Sequence, residues 1–532
     1  MGDSSPTVVY SRRHFIRTVI AGSAMGGLAA ACEAPRARAA DASEAADAGP
    51  PPPPYGRMLA GEVFDRCHAV RDGKIMPMPS PGETVELVVI GGGPSGLFAA
   101  HRLNDRDVVV LEKEPETGGN CRYDEWQGVR MSTGGAFYTA SETSLVELLA
   151  EIGAPGMPVE GPDALVIHGQ PTKDFFRDGA KQLPFPVPVQ DDFRRSRDDL
   201  LKLYKTKKAE ELDVVSFAEL LKPYAPEVRQ FWDSFGQSNW GGTAENTSGY
   251  VGAEAYTWAG AADDPRFTYP GGMSGAAVKL SEVVRKQLGS RLRTNTAAYS
   301  VDVEGSGKKS TAVVRYFDGD VPKAIRAKAV IVAAPKYFAK YLVHGIAPPQ
   351  LADMKAFRYL PFCVFNVCLS AQGPEPAYDN FFLDAPFTDY IPADWVIHAG
   401  KGPKERRTAL TVYHPLPEAA RATLLADNSV ADLADGVATH LERHFPGTID
   451  KIVEIRVFRR GHGMYMSTPG RMAVAKRASA ARAPVFFANT DCGLFSTFYD
   501  AVEAGARATF EARRYLGLSA KAPRQRVGAP RP

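Results

Sequence analysis

The chain has 532 residues, 44% of them hydrophobic and 23% charged, and carries a net charge of +2. Those proportions belong to a globular protein long enough for two packed regions, and so even a charge balance excludes an electrostatic nucleic-acid binder. Six cysteines (Cys32, Cys67, Cys121, Cys363, Cys368 and Cys492) show no C-x-x-C spacing and no clustered histidines, so no metal site is expected.

At the N-terminus, Ser11-Arg12-Arg13-His14-Phe15-Ile16 precedes a Gly- and Ala-rich apolar stretch over 18–31. This is the pattern of a twin-arginine export signal, too short to span a bilayer as a permanent helix. The export machinery is thus an expected partner, and the expected location is the periplasm or its membrane face. Two processing sites compete. Leu28 and three alanines lead to Cys32 as in a lipoprotein box, with the leucine one place further away than usual, whereas Ala37-Arg38-Ala39 suits ordinary signal peptidase. Lipidation at Cys32 would tether the protein to a membrane. The following Ala-rich segment ends in Pro50 to Pro54 and reads as an extended spacer. Residues 58–82 read as an irregular lead-in, interrupted by Pro77, Pro79 and Pro81.

Residues 86–122 organise the rest. A short apolar run, 87–90, is followed by Gly91, Gly93 and Gly96 at G-x-G-x-x-G spacing, a helical segment, a second apolar run and then Glu112. Gly91 permits the tight turn, Gly93 lets backbone N–H groups approach a pyrophosphate, and Gly96 allows close helix–strand packing. The helix N-terminus faces the phosphates, and Glu112 is placed to accept from a ribose hydroxyl. Gly118-Gly119 offer a second close backbone approach. Only one such fingerprint is visible, so a separate nicotinamide-binding module is not expected.

From Gly118-Gly119 onward the sequence resembles the flavin-containing amine oxidase superfamily, which includes monoamine and polyamine oxidases, protoporphyrinogen oxidase and phytoene desaturases. The resemblance extends to Gly134-Gly135 within 131–138, to the stretch 269–275 and the following helix ended by Gly289, to the V-I-V-A-A-P strand over 330–335, and to 485–505. It implies an α/β fold in which a Rossmann-like FAD-binding domain is interleaved with an α+β substrate-binding domain. The signal is expected over 1–39 and the linker over 40–82. Cofactor-domain pieces are expected at 83–140, 266–344 and 471–517, substrate-domain pieces at 141–265 (mainly helical) and 345–470, and a disordered basic tail at 518–532. Aromatics near the end of the helical piece, Trp240, Tyr250, Tyr256 and Trp258, are candidates for a substrate cavity or for core.

The resemblance also implies the site. Besides the fingerprint glycines, Pro94, Ser95, Glu112, Lys113, Gly118, Gly119, Asn120 and Arg122 are expected around FAD, although the family's usual arginine directly after the Gly-Gly pair is replaced by Asn120. Gly134 and Gly135 would run beside the flavin ring, backbone near Ala298 would bond the adenine, and Asp491 would bond the ribityl or phosphate part. The helix opening near Ala501 would turn its positive end to the flavin pyrimidine. Three positions carry over from the amine oxidases as catalytic candidates. Asn366 falls where a lysine commonly holds a water at flavin N5, Tyr465 matches one wall of an aromatic cage, and Thr497 falls at the other wall. Met464 occupies the place of a flavin-linking cysteine, so FAD is expected to bind without a covalent link.

The expected activity is hydride transfer from a small-molecule C–H, an amine or polyamine, to flavin, with O2 or an unidentified redox partner as acceptor. The alternatives are a desaturase or oxidase of an isoprenoid, lipid or porphyrinogen, and a flavin-binding subunit without turnover. Cys363 and Cys368 lie five apart on one strand and point to opposite faces, which argues against their pairing.

Overall fold

A computed structural model of the chain describes residues 53–259, 264–397, 409–520 and 522. The export signal, Cys32, the Ala37–Ala39 site, most of the linker and most of the C-terminal tail lie outside the described residues. From Pro53 onward the chain forms one compact unit built on two large sheets.

The seven-stranded sheet grows from the fingerprint. Glu83–Ile90 and Val108–Leu111 run parallel, and their apolar residues are buried because helices cover a parallel sheet on both faces. Val321–Val332 lies parallel on the other side of Glu83–Ile90. Its first half pairs antiparallel with Thr311–Asp318, and its last three residues pair parallel with Val485–Phe487. Segments far apart in sequence therefore share one central strand. The helix Pro94–Arg102 packs between Ser274–Leu288 and Phe498–Tyr515, and its face is buried in the largest apolar cluster of the sheet. Ser274–Leu288 ends at Gly289, whose φ of 56° lies in the left-handed region that glycine adopts without strain.

The eight-stranded sheet runs in the order Gly56–Gly61, Ile452–Tyr465, Tyr359–Leu369, Ala409–Pro415, Asp389–Pro392, Asn380–Phe382, Ala164–Ile167, Gln170–Lys173. Tyr359–Leu369 is buried at every residue, since helices pack on one side and the cavity and cofactor sheet lie on the other. The helix Asp427–His444 covers one face with Val430, Ala434, Val437 and Leu441 at helical spacing. A layer containing Val187–Thr206, Pro226–Trp240 and Gly249–Ala255 packs near the other end. Cys363 and Cys368 are both buried and free, on opposite faces of one strand.

Two expectations need correction. The lead-in is not irregular throughout: Gly56–Gly61 is an edge strand parallel to Ile452–Tyr465, and Asp65–Arg71 is a helix. The strand is mostly exposed and lacks apolar alternation, so only its partner reveals it. The helical piece 141–265 also contributes the strands Ala164–Ile167 and Gln170–Lys173 to the sheet. Of the two readings left open for the aromatics, core holds for Trp240, Tyr250 and Tyr256, which fill the helical layer, where Trp232 donates to the Tyr256 hydroxyl at 2.7 Å. Of the four candidate aromatics, Trp258 alone faces the cavity.

Candidate active site

Between the two sheets lies a cavity of about 970 Å³. Its first part is the fingerprint turn. Gly91 has φ 108°, and a Cβ on Gly96 would stand 1.9 Å from the Gly91 carbonyl oxygen, so no other residue fits there. The loops carrying Gly93 and Gly119 abut, with a Cβ on Gly119 reaching the Gly93 Cα at 3.1 Å. Pro94 opens the helix, and Gly93 at its N-cap has no side chain to satisfy the first N–H groups. Pro94 and Ser95 line the cavity, so these donors and the positive end of the helix are available to a diphosphate. Gly96 and Gly118 lie behind this surface and shape it. Gly118 N donates to Gly92 O at 2.8 Å.

Glu112 is 6% exposed and faces the cavity. Its Oε2 accepts from Gly92 N at 2.6 Å and its Oε1 from Glu114 N at 2.8 Å, which fixes the carboxyl beside the turn. Burial pushes its pKa up, against the lowering effect of those two N–H donors. Lys113 is turned aside to Val63 O at 2.8 Å and to Glu114, and Arg122 also reaches Glu114, at 3.3 Å. Ala298 lines the cavity at a bulge in Thr296–Glu304. Asn120 donates to Gly463 O at 3.1 Å. Gly134 admits Asn120 where a Cβ would meet its carbonyl oxygen at 1.8 Å, and Gly135 packs on Met273. The last helix, Phe498–Tyr515, starts at the cavity, which Ala501 lines. Backbone laid bare by glycines, two helix N-termini and a fixed carboxylate make an extended cradle that fits a dinucleotide.

Besides Gly96 and Gly118, two expected site residues are not on the cavity. Asn366 donates to Ser132 O at 3.1 Å and accepts from Thr411 Oγ1 at 2.8 Å in a fully buried strand. It shares a face with Phe362 and Val364, which do line the cavity, but lies beyond the cavity's edge. Asp491 is wholly buried behind the wall, bound to Lys336 and Tyr359, and its neighbours Asn489 and Thr490 face the cavity instead.

Tyr465 and Thr497 do line it, with their polar ends engaged. The Tyr465 hydroxyl donates to Thr490 O at 2.9 Å, and the Arg471 guanidinium sits 4.7 Å from the ring centroid. Thr497 caps the last helix, accepting from Asp500 N at 3.0 Å and donating to Asp500 Oδ2 at 2.7 Å. Met464 also lines the cavity.

Several cavity residues have no motif to announce them. Arg460 is 3% exposed and bound through its Nη atoms to Thr133, with its guanidinium 4.3 Å from the Phe458 ring. It comes from Ile452–Tyr465 and pairs with Phe362, so both side chains fall on the cavity side. Phe137 meets Trp258 and Tyr378 edge-on at 6.5 and 6.3 Å, and with Val364 and Tyr413 it makes an aromatic and apolar chamber. Two buried acids, Asp379 and Asp389, open onto that chamber. Acids flanked by aromatics, in Tyr378-Asp379-Asn380-Phe381 and Thr388-Asp389-Tyr390, were the sole local hint. Among the described residues no cluster of His, Cys, Asp and Glu could hold a metal ion, and no helix is long and apolar enough to cross a membrane.

Comparison with known proteins gives a consistent result. The sequence model described as flavin containing amine oxidoreductase matches residues 94–511. The flavin-containing amine oxidase of Oncorhynchus mykiss is 24% identical over 273 residues, 47% of this chain and 50% of that protein. The chain thus spans about half the length of the curated relatives it matches. A putrescine oxidase solved with putrescine bound superposes with a TM-score of 0.61 at 19% identity, covering 82% of this chain and 98% of that one. Cyclohexylamine oxidase from Brevibacterium oxydans superposes at 0.61 with 17% identity over 81% and 99% of the two chains. At that identity the structural likeness establishes the fold.

Proposed function

The chain belongs to the flavin-containing amine oxidoreductases, and from that premise we propose that it is an FAD-dependent oxidoreductase acting on the C–H bond beside an amine nitrogen. FAD supplies the two-electron acceptor. The chain's residues do the rest. The turn at 91–96 and Gly119 would receive the diphosphate, and Glu112 would receive a ribose. Gly134, Gly135 and the start of Phe498–Tyr515 would lie beside the redox ring, where the helix dipole would favour negative charge. Phe137, Trp258, Val364 and Tyr413 exclude water from the chamber and hold the substrate carbon.

The observation that carries this reading is that a single cavity runs from the dinucleotide cradle into a chamber with aromatic walls and buried carboxyls. An isoprenoid chain has no polar group to meet Asp379 and Asp389 at such depth. The test is to purify the protein with its own cofactor and mix it anaerobically with amines, polyamines, isoprenoids and porphyrinogens. Loss of the yellow absorbance with amines supports the proposal. Loss with apolar polyenes or porphyrinogens alone assigns the chain to desaturation, and no loss with any donor leaves a subunit without turnover. Repeating the measurement in air tells dioxygen from a separate redox partner as acceptor.

We also propose export by the twin-arginine route, with the protein facing the periplasm either free or held through a lipidated Cys32. Arg12-Arg13 directly before the apolar stretch supports this, as does a fold that must enclose its cofactor before transport. Replacing both arginines by lysine should trap the protein in the cytoplasm. Cys32→Ala should release it from membranes if it is tethered.

A further inference from the structure

The segment 61–71 stands ahead of the fingerprint and well before residue 94, where the family match begins. It leaves the edge strand Gly56–Gly61 and continues as the helix Asp65–Arg71, which packs against Lys336–Leu342 and against Thr296–Glu304, the strand that carries Ala298. Val63, Phe64, Cys67, His68 and Arg71 line the same cavity as Glu112 and Ala298. The segment is tied to the cradle at one point. Val63 N donates to Glu114 Oε1 at 2.9 Å and Val63 O accepts from Lys113 Nζ at 2.8 Å, while Glu114 N fixes Glu112. A second tie lies outside the cavity, where Arg66 pairs with Asp320 and sits 4.1 Å from the Phe317 ring centroid. Little else holds it. Asp65–Arg71 has seven residues, none of them buried, and a helix that short has no stability of its own. Lifting it therefore costs far less than opening the sheets beneath. Residues 71–75 are exposed, with Gly73 at φ 69°, and the chain is fixed again at Pro77 O, which accepts from the Tyr299 hydroxyl at 2.8 Å. That stretch is built as a hinge.

We infer that residues 62–71 form a strap over the nucleotide end of the cofactor cavity, that FAD enters and leaves when the strap lifts, and that bound FAD holds the strap down. The inference rests on FAD as the cofactor and is independent of which donor is oxidised. Val63 and Phe64, 46% and 40% exposed on the cavity wall, are apolar surface that a bound nucleotide would cover. A ligand that favours the closed strap is weakened by whatever loosens the strap, and by the same factor. Lys113, expected beside FAD, spends its amino group on the strap instead. Arg66 does not line the cavity, so it acts on the cofactor through the strap alone, as a positioning residue. Cys67 reports on the strap's position. It sits on the cavity wall with its thiol pushed up to about 11, mainly by burial, and a thiol in that state reacts slowly until it is uncovered.

The test compares the full chain loaded with FAD and stripped of it. Modification of Cys67 by N-ethylmaleimide, located by peptide mass spectrometry, should be about ten-fold or more slower in the loaded protein. Release of FAD is followed by the fluorescence of the free cofactor. Arg66→Ala should speed release roughly three- to ten-fold, since an exposed ion pair and a cation–π contact are lost, and Lys113→Met should speed it further. Both should hasten Cys67 modification in the loaded protein, and Lys113→Arg should restore part of the closed behaviour. The denaturation midpoint of FAD-free Arg66→Ala should match that of the FAD-free wild type, which a general weakening of the fold would not allow. Equal Cys67 modification with and without FAD overturns the inference, as do wild-type rates of release and modification in both variants. A chain that takes up no FAD removes the cofactor reading and the strap's role with it, whereas one that holds FAD with Cys67 equally open removes the strap alone. Should Lys113→Met fail to fold, Arg66→Ala and the wild-type comparison decide.

Discussion

Lys336 and Asp491 meet as an ion pair with no solvent exposure, Nζ to Oδ1 at 2.8 Å, and the Lys336 backbone N–H donates to Oδ2 at 2.6 Å. The Tyr359 hydroxyl donates to the same Oδ2 at 2.7 Å. One carboxylate therefore joins the strand leaving the cofactor sheet, the first residue of Tyr359–Leu369 and the returning segment at 489–492, and it holds Asn489 and Thr490 against the cavity. Burial works against the lysine's charge, but Asp491 and Cys492 outweigh it and raise its pKa. Removing one partner of such a pair leaves a stranded buried charge, at a cost of about 3–5 kcal/mol. Asp491→Ala should lower the denaturation midpoint accordingly and release FAD, and Lys336→Met added to it should recover part of the loss. An Asp491→Ala protein as stable as wild type would refute the anchoring role.

The fingerprint glycines divide by what they avoid. A Cβ at Gly96 would meet backbone oxygen at 1.9 Å, whereas one at Gly93 would meet Gly119 Cα at 3.6 Å, an ordinary contact. Gly96→Ala should therefore give no folded yellow protein. Gly93→Ala should fold and lose FAD affinity alone, because its methyl intrudes where the diphosphate approaches. FAD content and far-UV circular dichroism of the two variants separate these outcomes.

The cradle was legible in the sequence because its determinants are local: a turn that needs glycine, a helix that starts on Pro94, an acid at the end of the second strand. The chamber was not. Asp379 and Asp389 become neighbours only through the pairing of Asn380–Phe382 with Asp389–Pro392, and Arg460 reaches the cavity only because Ile452–Tyr465 lies beside Tyr359–Leu369. Asn366 shows how a correct strand can yield a wrong residue. The period of two puts residues 362, 364 and 366 on one face, but nothing local tells where along that face the cavity stops. Asp491 failed differently: it is buried and acidic beside the cofactor segment, yet Lys336, 155 positions away, claims it.

Thr497, expected at a cage wall, lines the cavity and is also the N-cap of the last helix. Thr497→Ala should cost about 1 kcal/mol of stability and weaken FAD binding slightly, by loosening the helix end that faces the ring. The preference among amines should stay unchanged. A shift in amine preference without a change in denaturation midpoint would restore the cage reading.

Arg460 supplies a buried positive charge on the cavity wall, next to the Gly134-Gly135 stretch. Burial pushes its pKa down to about 10, which still leaves it charged at neutral pH. Hydrogen bonds to a charged group are worth about 1.5–3 kcal/mol, so Arg460→Met should weaken FAD binding roughly ten- to a hundred-fold. It should also lower the two-electron midpoint potential by tens of millivolts, at about 30 mV per 1.4 kcal/mol, because the reduced flavin carries the negative charge that loses a partner. Arg460→Lys should restore part of both. Unchanged potential and affinity would reduce Arg460 to a strut for Thr133.

The acid pair also sets a pH dependence. Burial, reinforced by Asp163, pushes Asp389 up to about 7, against the lowering effect of hydrogen bonds with Thr388, Ser238 and the neighbouring acid Asp379. Asp379, also raised, and the Arg266–Asp163 pair are the other charged groups around it. In the unfolded chain an aspartate ionises near pH 4, so between about pH 4 and pH 7 the folded protein holds a proton that the unfolded chain has lost. Stability contributed by this site therefore falls as pH rises through that window and levels off above it. Asp389→Asn should flatten that fall, read as the denaturation midpoint followed from about pH 4 to pH 8. The same slope in Asp389→Asn as in the wild type would show that another group sets it.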